Sequence, residues 1–196
     1  MQDTPLFGSA PMQPRDLARK LVAEVQKHNS GNTWLNGENR QWTEAIKKGL
    51  ENIARELPVK TTCVYTAHAP GAREFLLDVV WWNKDDSEGA SLACECEWYW
   101  PRSRKVDDYY IHVGEDFEKL LVFKAPLKLM IFATPKDAPW VEEPVIETIN
   151  SYLLGYKHHV LGEKYLVLDF APKPKCWIVE VSGNGASRPQ LEEFQI

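Results

Sequence analysis

Hydrophobic positions recur at helical spacing in the first third of the chain. Apolar side chains three and four residues apart predict one helix over residues 14–27 and a second over about 40–56. Pro14 opens the first helix, and Pro58 follows the end of the second. The chain is therefore expected to begin its folded part with a pair of amphipathic helices.

Beyond Pro58 the apolar positions form short runs that are typical of β-strands. Three runs, over residues 61–67, 74–82 and 92–100, are separated by short turn signals, so we expect antiparallel neighbours. The later pattern predicts helices over 116–124 and 145–156, and strands over 127–132, 165–170 and 176–181.

This order of elements predicts the fold class. A meander of strands that leads through a helix to a further strand makes a mixed sheet with helices packed on it. We therefore expect a single α/β domain over residues 14–183, built on a mixed β-sheet flanked by helices. Residues 1–13 are expected to be a flexible arm, and residues 184–196 a polar tail.

The composition is that of an ordinary globular protein. Hydrophobic residues make up 44% of the 196 residues and charged residues 26%. No apolar run approaches the roughly 18–20 residues that span a bilayer, and the N-terminus lacks the features of a signal peptide. We therefore expect no membrane partner and a cytoplasmic location.

The overall charge gives no signal for nucleic-acid binding, because 23 basic and 28 acidic residues leave a net charge of −5. A local basic stretch, Arg102-Ser103-Arg104-Lys105, directly follows the third predicted strand. Such a stretch suits a phosphodiester substrate, and it suits a solvated loop equally well.

Three acids in the predicted strands are candidates for chemistry. Side chains alternate along a strand, so Glu95 and Glu97 share one face while Cys94 and Cys96 share the other. Asp78 lies in the preceding predicted strand. Neighbouring carboxylates repel each other unless a cation lies between them, and Mg²⁺ prefers carboxylate and water oxygens. The pattern favours a metal site on the acidic face and core positions for the cysteines, rather than half of a soft-metal site.

Acids at alternate strand positions are also typical of a sheet face that is open to water. Here Glu95 and Glu97 stand among apolar residues, and Asp78 stands inside the run Leu76-Leu77-Asp78-Val79-Val80. Strands of this composition are expected to be buried. A buried acid needs a partner or a metal ion, so the setting favours the metal site.

In its order of elements and in the positions of these acids, the sequence resembles the PD-(D/E)XK nuclease superfamily, which has the restriction-endonuclease-like fold. The resemblance covers residues 42–132, about half of the chain. It rests on the order helix, three antiparallel strands, helix and strand, and on two acids. Asp78 matches the acid of the second strand, and Glu95 matches the acid that starts the motif of the third strand.

The resemblance implies a Mg²⁺-dependent (or Mn²⁺-dependent) nuclease that acts on DNA. Glu97 stands where the family normally carries lysine, and Lys119 in the following helix matches a lysine that has migrated there. Glu44 is the best match for a glutamate near the start of the first core helix. Asp78 and Glu95 would then be ligands of one metal ion, with Glu97 as a further metal ligand or as a base that orients the water. Glu44 would be a ligand of a second metal ion or would support the ligands of the first, and Lys119 would stabilise developing negative charge. A solvated surface lysine and an ordinary first-turn glutamate are the plain alternatives for Lys119 and Glu44.

A different class of function stays open on the same fold. A non-catalytic protein-binding or regulatory module would explain the missing lysine and the acidic balance. Small nucleases of this kind often dimerise to cut two strands, but no interface can be recognised in the sequence. The two functions differ in geometry, because only an enzyme requires Asp78, Glu95 and Glu97 to converge with Lys119 beside them.

Overall fold

The computed structural model describes residues 12–28, 39–57, 61–65, 77–83, 89–98, 106–134, 138–171, 173–182 and 191–196. These parts of the chain contain four α-helices: α1 (Pro14–His28), α2 (Asn39–Glu56), α3 (Val106–Val122) and α4 (Glu142–Gly155). They also contain seven strands: β1 (Thr61–Tyr65), β2 (Val79–Asn83), β3 (Ala90–Trp98), β4 (Leu127–Ala133), β5 (Lys164–Asp169), β6 (Lys175–Glu180) and β7 (Glu192–Phe194).

All seven strands belong to one sheet, and they lie in it in the order of the sequence. β1, β2 and β3 are antiparallel, β3, β4 and β5 are parallel, and β5, β6 and β7 are antiparallel again. α3 and α4 are the connections between the parallel strands, as a parallel pair requires a crossover. The sheet is therefore mixed, with its parallel strands at the centre.

Helices cover both faces of the sheet. On one face, the side chains of Cys94 and Cys96 join a buried cluster with residues of α1 and α2 such as Leu21 and Ile46. On the other face, Ala93 joins a second buried cluster with residues of α3 and α4. The central strands are consequently buried on both sides, as expected for parallel strands between layers of helices.

These observations confirm the predicted mixed α/β architecture and the antiparallel meander. They also confirm that the two cysteines lie in the core on one face of β3, where both are free thiols. Among the described helices, none is both long and apolar enough to cross a membrane.

Two elements differ from the predictions. α3 begins at Val106, ten residues before the predicted start at 116. Gly114 and the β-branched residues Ile111 and Val113 before it obscure the helical pattern there, yet Tyr109, Val113 and Phe117 are buried at a spacing of four residues.

The second difference lies at the C-terminus, in the part predicted as a polar tail. Residues 192–194 form β7 at the edge of the sheet, where Phe194 pairs with Cys176. Leu191 and Phe194 are both buried. Two apolar residues are too few to produce a strand pattern in the sequence. Residues 1–11 and 183–190 lie outside the described residues.

Candidate active site

Asp78 and Glu95 are brought together by the pairing of β2 with β3. Val79, the first residue of β2, pairs with Cys94. The same antiparallel register, continued by one residue, places Asp78 opposite Glu95. Oδ2 of Asp78 accepts a hydrogen bond of 2.9 Å from the backbone N–H of Cys96. This bond fixes the Asp78 carboxylate against β3, beside Glu95.

Lys119 reaches the same place from α3, which packs on the acidic face. Its Nζ lies 3.3 Å from Oε1 of Glu95 and 2.6 Å from Oδ1 of Asp116. Phe117 and Leu120, on the buried side of the helix, contribute to the core beneath it. The lysine predicted to replace the usual strand lysine therefore lies beside Glu95, one of the three predicted acids.

α3 is fixed over β3 and β4 by a polar contact as well as by its apolar side. The hydroxyl of Tyr109 lies 3.1 Å from the carbonyl oxygen of Glu97 and 3.3 Å from that of Ala133, so it can donate to either. It also accepts a hydrogen bond from the backbone N–H of Ala133. This buried tyrosine joins the ends of two parallel strands to the first half of the helix.

The environment of Glu95 disfavours its ionised form. The residue is only 3% exposed, and its buried Oε1 accepts no well-aligned hydrogen bond from the described residues. Burial, and then the neighbouring charges of Asp78 and Asp116, raise the pKa of Glu95 to about 9, although Lys119 opposes them. At neutral pH, without a bound cation, Glu95 is therefore protonated.

Lys119 keeps its charge in this cluster. Partial burial acts to lower the pKa of its ammonium group, but the hydrogen bond to Asp116 and the charge of Glu95 outweigh burial and raise it. The site therefore combines a permanent cation with two acids that face each other across one strand pair.

The other two predicted ligands lie differently. Glu97 is half-buried, two residues beyond Glu95 on the same face of β3. Glu44 is exposed on α2, and α2 packs on the opposite face of the sheet, with the cysteines. The fold therefore does not place Glu44 beside Asp78 and Glu95.

The donor set fits a hard cation that is held by two carboxylates. In the part of the chain that the structure describes, no three His, Cys, Asp or Glu side chains form a group that could hold a metal ion. Mg²⁺ is usually bound through one or two carboxylates, with waters and substrate phosphates completing the shell. Asp78 and Glu95 meet that requirement, and Oε1 of Glu95, which lies 3.3 Å from the Lys119 ammonium group, accepts no hydrogen bond from the described residues.

Asp116 is the member of this cluster that the sequence did not single out. It stands three residues before Lys119, so the two side chains share one face of α3. This spacing is visible in the sequence and could have indicated an ion pair. Its proximity to Glu95 depends on how the helix is seated on the sheet, which the sequence does not specify.

The chain matches no protein-family model, no curated protein and no solved structure. The basic stretch at residues 102–105 lies outside the described residues.

Proposed function

We propose that this chain is a Mg²⁺-dependent, nuclease-like protein with a restriction-endonuclease-like fold, and that it hydrolyses phosphodiester bonds in DNA. The observation that carries the proposal is the meeting of Asp78, Glu95 and Lys119. They come from the residue before β2, from β3 and from α3, which is the order in which that fold supplies two acids and a migrated lysine. DNA as the substrate follows from the resemblance.

Each residue has a chemical role in this proposal. Asp78 and Glu95 hold the cation, which when bound neutralises phosphoryl charge and lowers the pKa of water. Glu97 is the base that orients the attacking water, since it does not join Asp78 and Glu95 in a group of three ligands among the described residues. Lys119 places its ammonium group where negative charge develops, a contribution that is often large in enzymes. Burial of Glu95 excludes bulk water and strengthens these interactions.

The topology supports the proposal independently of these side chains. Among the described residues, three antiparallel strands, a crossover helix and a parallel fourth strand follow one another from β1 to β4. α2 precedes them and packs on the face opposite α3. This arrangement is the one that the resemblance implies for residues 42–132.

The second candidate is a non-catalytic protein-binding or regulatory module on the same fold. One observation favours it: an ammonium group already lies 3.3 Å from Glu95, so the acid has a cationic neighbour without a metal ion. The two candidates make opposite predictions for metal binding.

The test combines two measurements on the same samples. Calorimetry measures the binding of Mg²⁺ and Mn²⁺, and a plasmid-nicking assay measures cleavage of DNA. Asp78→Asn and Glu95→Gln remove the ionisable carboxyl groups but keep the shapes of the side chains. Glu118→Gln, an exposed acid on α3, is the matched control. We expect wild type and the control to bind metal and nick DNA, and both site variants to lose at least about 100-fold in nicking rate.

Two results would overturn the proposal. One is a folded wild type that neither binds metal nor nicks DNA, which would leave the non-catalytic module. The other is nicking that persists unchanged in Glu95→Gln. Such nicking would not come from this site, and a contaminating nuclease would be its simplest source. Circular dichroism of each variant shows whether a loss reflects unfolding.

A further inference from the structure

Lys119 stands between two acids but is bound unequally to them. It donates a hydrogen bond of 2.6 Å to Oδ1 of Asp116. Its contact of 3.3 Å with Oε1 of Glu95 is an ion-pair distance without an aligned hydrogen bond. The structure thus places the ammonium group against Asp116 and only beside Glu95.

An ammonium group this close to Glu95 competes with a metal ion for the same oxygen. A Mg²⁺ ion bound to Oε1 would lie about 2.0–2.1 Å from it, within a few ångströms of Nζ. Two cations at such a separation repel each other, and they do so more strongly beside the buried Glu95 carboxyl group than in bulk water. Metal binding at Glu95 therefore requires that Lys119 be held to one side.

We propose that Asp116 is a positioning residue that draws the Lys119 ammonium group away from Glu95 and so leaves the Glu95 oxygen available to a divalent cation. This inference rests on the proposed function, because it assumes a cation at Glu95. Asp116 touches neither the cation nor the substrate in this role; it acts through Lys119. The same contact leaves the ammonium group charged and close to the site.

The hydrogen bond between Lys119 and Asp116 forms within α3. Asp116 and Lys119 are separated by one helical turn, and their side chains are 18% and 42% exposed. Glu95, by contrast, is 4% exposed at its side chain. Loss of the Asp116 charge would leave the ammonium group with its 3.3 Å contact to Glu95.

The test is a double-mutant cycle on metal affinity, with Mn²⁺ alone as the probe and calorimetry as the readout. Asp116→Asn is expected to weaken binding about tenfold, the lower end of the range for residues that orient a metal ligand. Lys119→Met is expected to tighten it, because the competing cation is gone. In the Lys119→Met background, Asp116→Asn should change affinity less than about threefold.

The cycle separates this role from a general effect of acidic charge. If Asp116 simply attracted cations, its removal would weaken binding equally with and without Lys119, and that result would overturn the inference. Asp116→Glu keeps a carboxylate on the same helical face and is expected to bind metal like the wild type. Glu118→Gln again controls for the loss of one acid from α3.

Failure of the proposed function gives a different pattern. If none of the four proteins of the cycle binds Mn²⁺, the metal site itself is absent, and both proposals fall together. If wild type binds and the two Asp116→Asn effects are equal, only the positioning role falls. Thermal unfolding of each variant confirms that the compared proteins are folded.

Discussion

Glu95 stands opposite Asp78 across the β2–β3 register, with Glu95 buried and Asp78 half-buried. The pKa of Glu95 is raised to about 9 by burial and by the charges of Asp78 and Asp116. A folded protein keeps such an arrangement only if a proton or another cation neutralises it. The contact is therefore a source of pH-dependent stability.

We predict that part of the folding stability is lost as the pH rises, and that Glu95 is the cause. The folded protein holds the Glu95 proton more tightly than the unfolded chain does. The stability from this proton is complete below the unfolded pKa of 4.5 and is lost as the pH rises through about 9. The slope is at most about 1.4 kcal/mol per pH unit.

Urea unfolding of wild type and Glu95→Gln in metal-free buffer, at several values between pH 5 and 9, measures this effect. Glutamine cannot ionise, so the stability of wild type relative to the variant should decrease steadily across the range. A difference that does not change with pH would contradict the assignment to Glu95.

A second prediction concerns Lys128 and Glu163, which form a 2.9 Å ion pair whose side chains are 0% and 3% exposed. Lys128 also donates to the carbonyl oxygen of Leu121 and to the hydroxyl of Tyr165. Lys128→Met leaves the Glu163 carboxylate buried without its cation, which typically costs about 3–5 kcal/mol. Denaturant unfolding should show this loss.

The matched double variant, Lys128→Met/Glu163→Gln, removes both charges together. We expect it to recover most of the loss, because no buried charge is then left unpaired. If the double variant is as unstable as the sum of the two single variants, the pair is not coupled and the prediction is wrong.

Alternation along β3 was sufficient to predict the layers of the fold. Because Cys94 and Cys96 are apolar and Glu95 is not, the strand had to present different faces to the two helix layers, and the structure confirms it. Local patterns of this kind also located the ends of α1 and α2 to within one residue. The first ten residues of α3 were missed, because their helical conformation depends on burial against the sheet.

The candidate site was predictable only in part, for a physical reason. Asp78, Glu95 and Lys119 could be selected because chain order and residue type suggest them. Asp116 could not, since its nearness to Glu95 depends on the seating of α3. The motif match grouped Glu44 with the site. In the structure Glu44 lies away from the site, because α2 covers the opposite face of the sheet. Contacts between layers are not encoded in the pattern of any single element.

A third prediction concerns Asp169, a fully buried acid at the end of β5. Its Oδ1 accepts hydrogen bonds from the backbone N–H groups of Thr134 and Ala171, while Oδ2 has no partner among the described residues. Burial raises its pKa to about 6, against the opposing hydrogen bonds to Thr134 and Ala171. The stability from its proton is therefore complete below the unfolded pKa of 3.8 and is lost as the pH rises through about 6.

Asp169→Asn keeps an oxygen for the two backbone donors and removes the ionisable group. At pH 8 we expect this variant to be at least as stable as the wild type in denaturant unfolding. Asp169→Ala, which removes the acceptor too, should be destabilised by about 1–3 kcal/mol at the same pH. Equal losses in both variants would mean that the carboxylate charge itself stabilises the fold.

The last prediction concerns the crossing of α3 and α4 at Gly114. A Cβ atom at this position would lie 2.8 Å from Cε2 of Tyr152 and 3.0 Å from Cγ2 of Thr148. Alanine favours a helix by about 1 kcal/mol over glycine, but forcing atoms into a packed contact typically costs about 1–3 kcal/mol. We therefore expect Gly114→Ala to lower the free energy of unfolding.

Gly155→Ala is the matched control, because a Cβ atom there would meet nothing within 4 Å. The control should be neutral or mildly stabilising, so opposite signs for the two glycines would locate the effect in the helix crossing. Adding Tyr152→Leu, which removes the obstructing ring, should relieve part of the penalty of Gly114→Ala. If Gly114→Ala raises the unfolding temperature as much as the control does, the helices are not in close contact at this position.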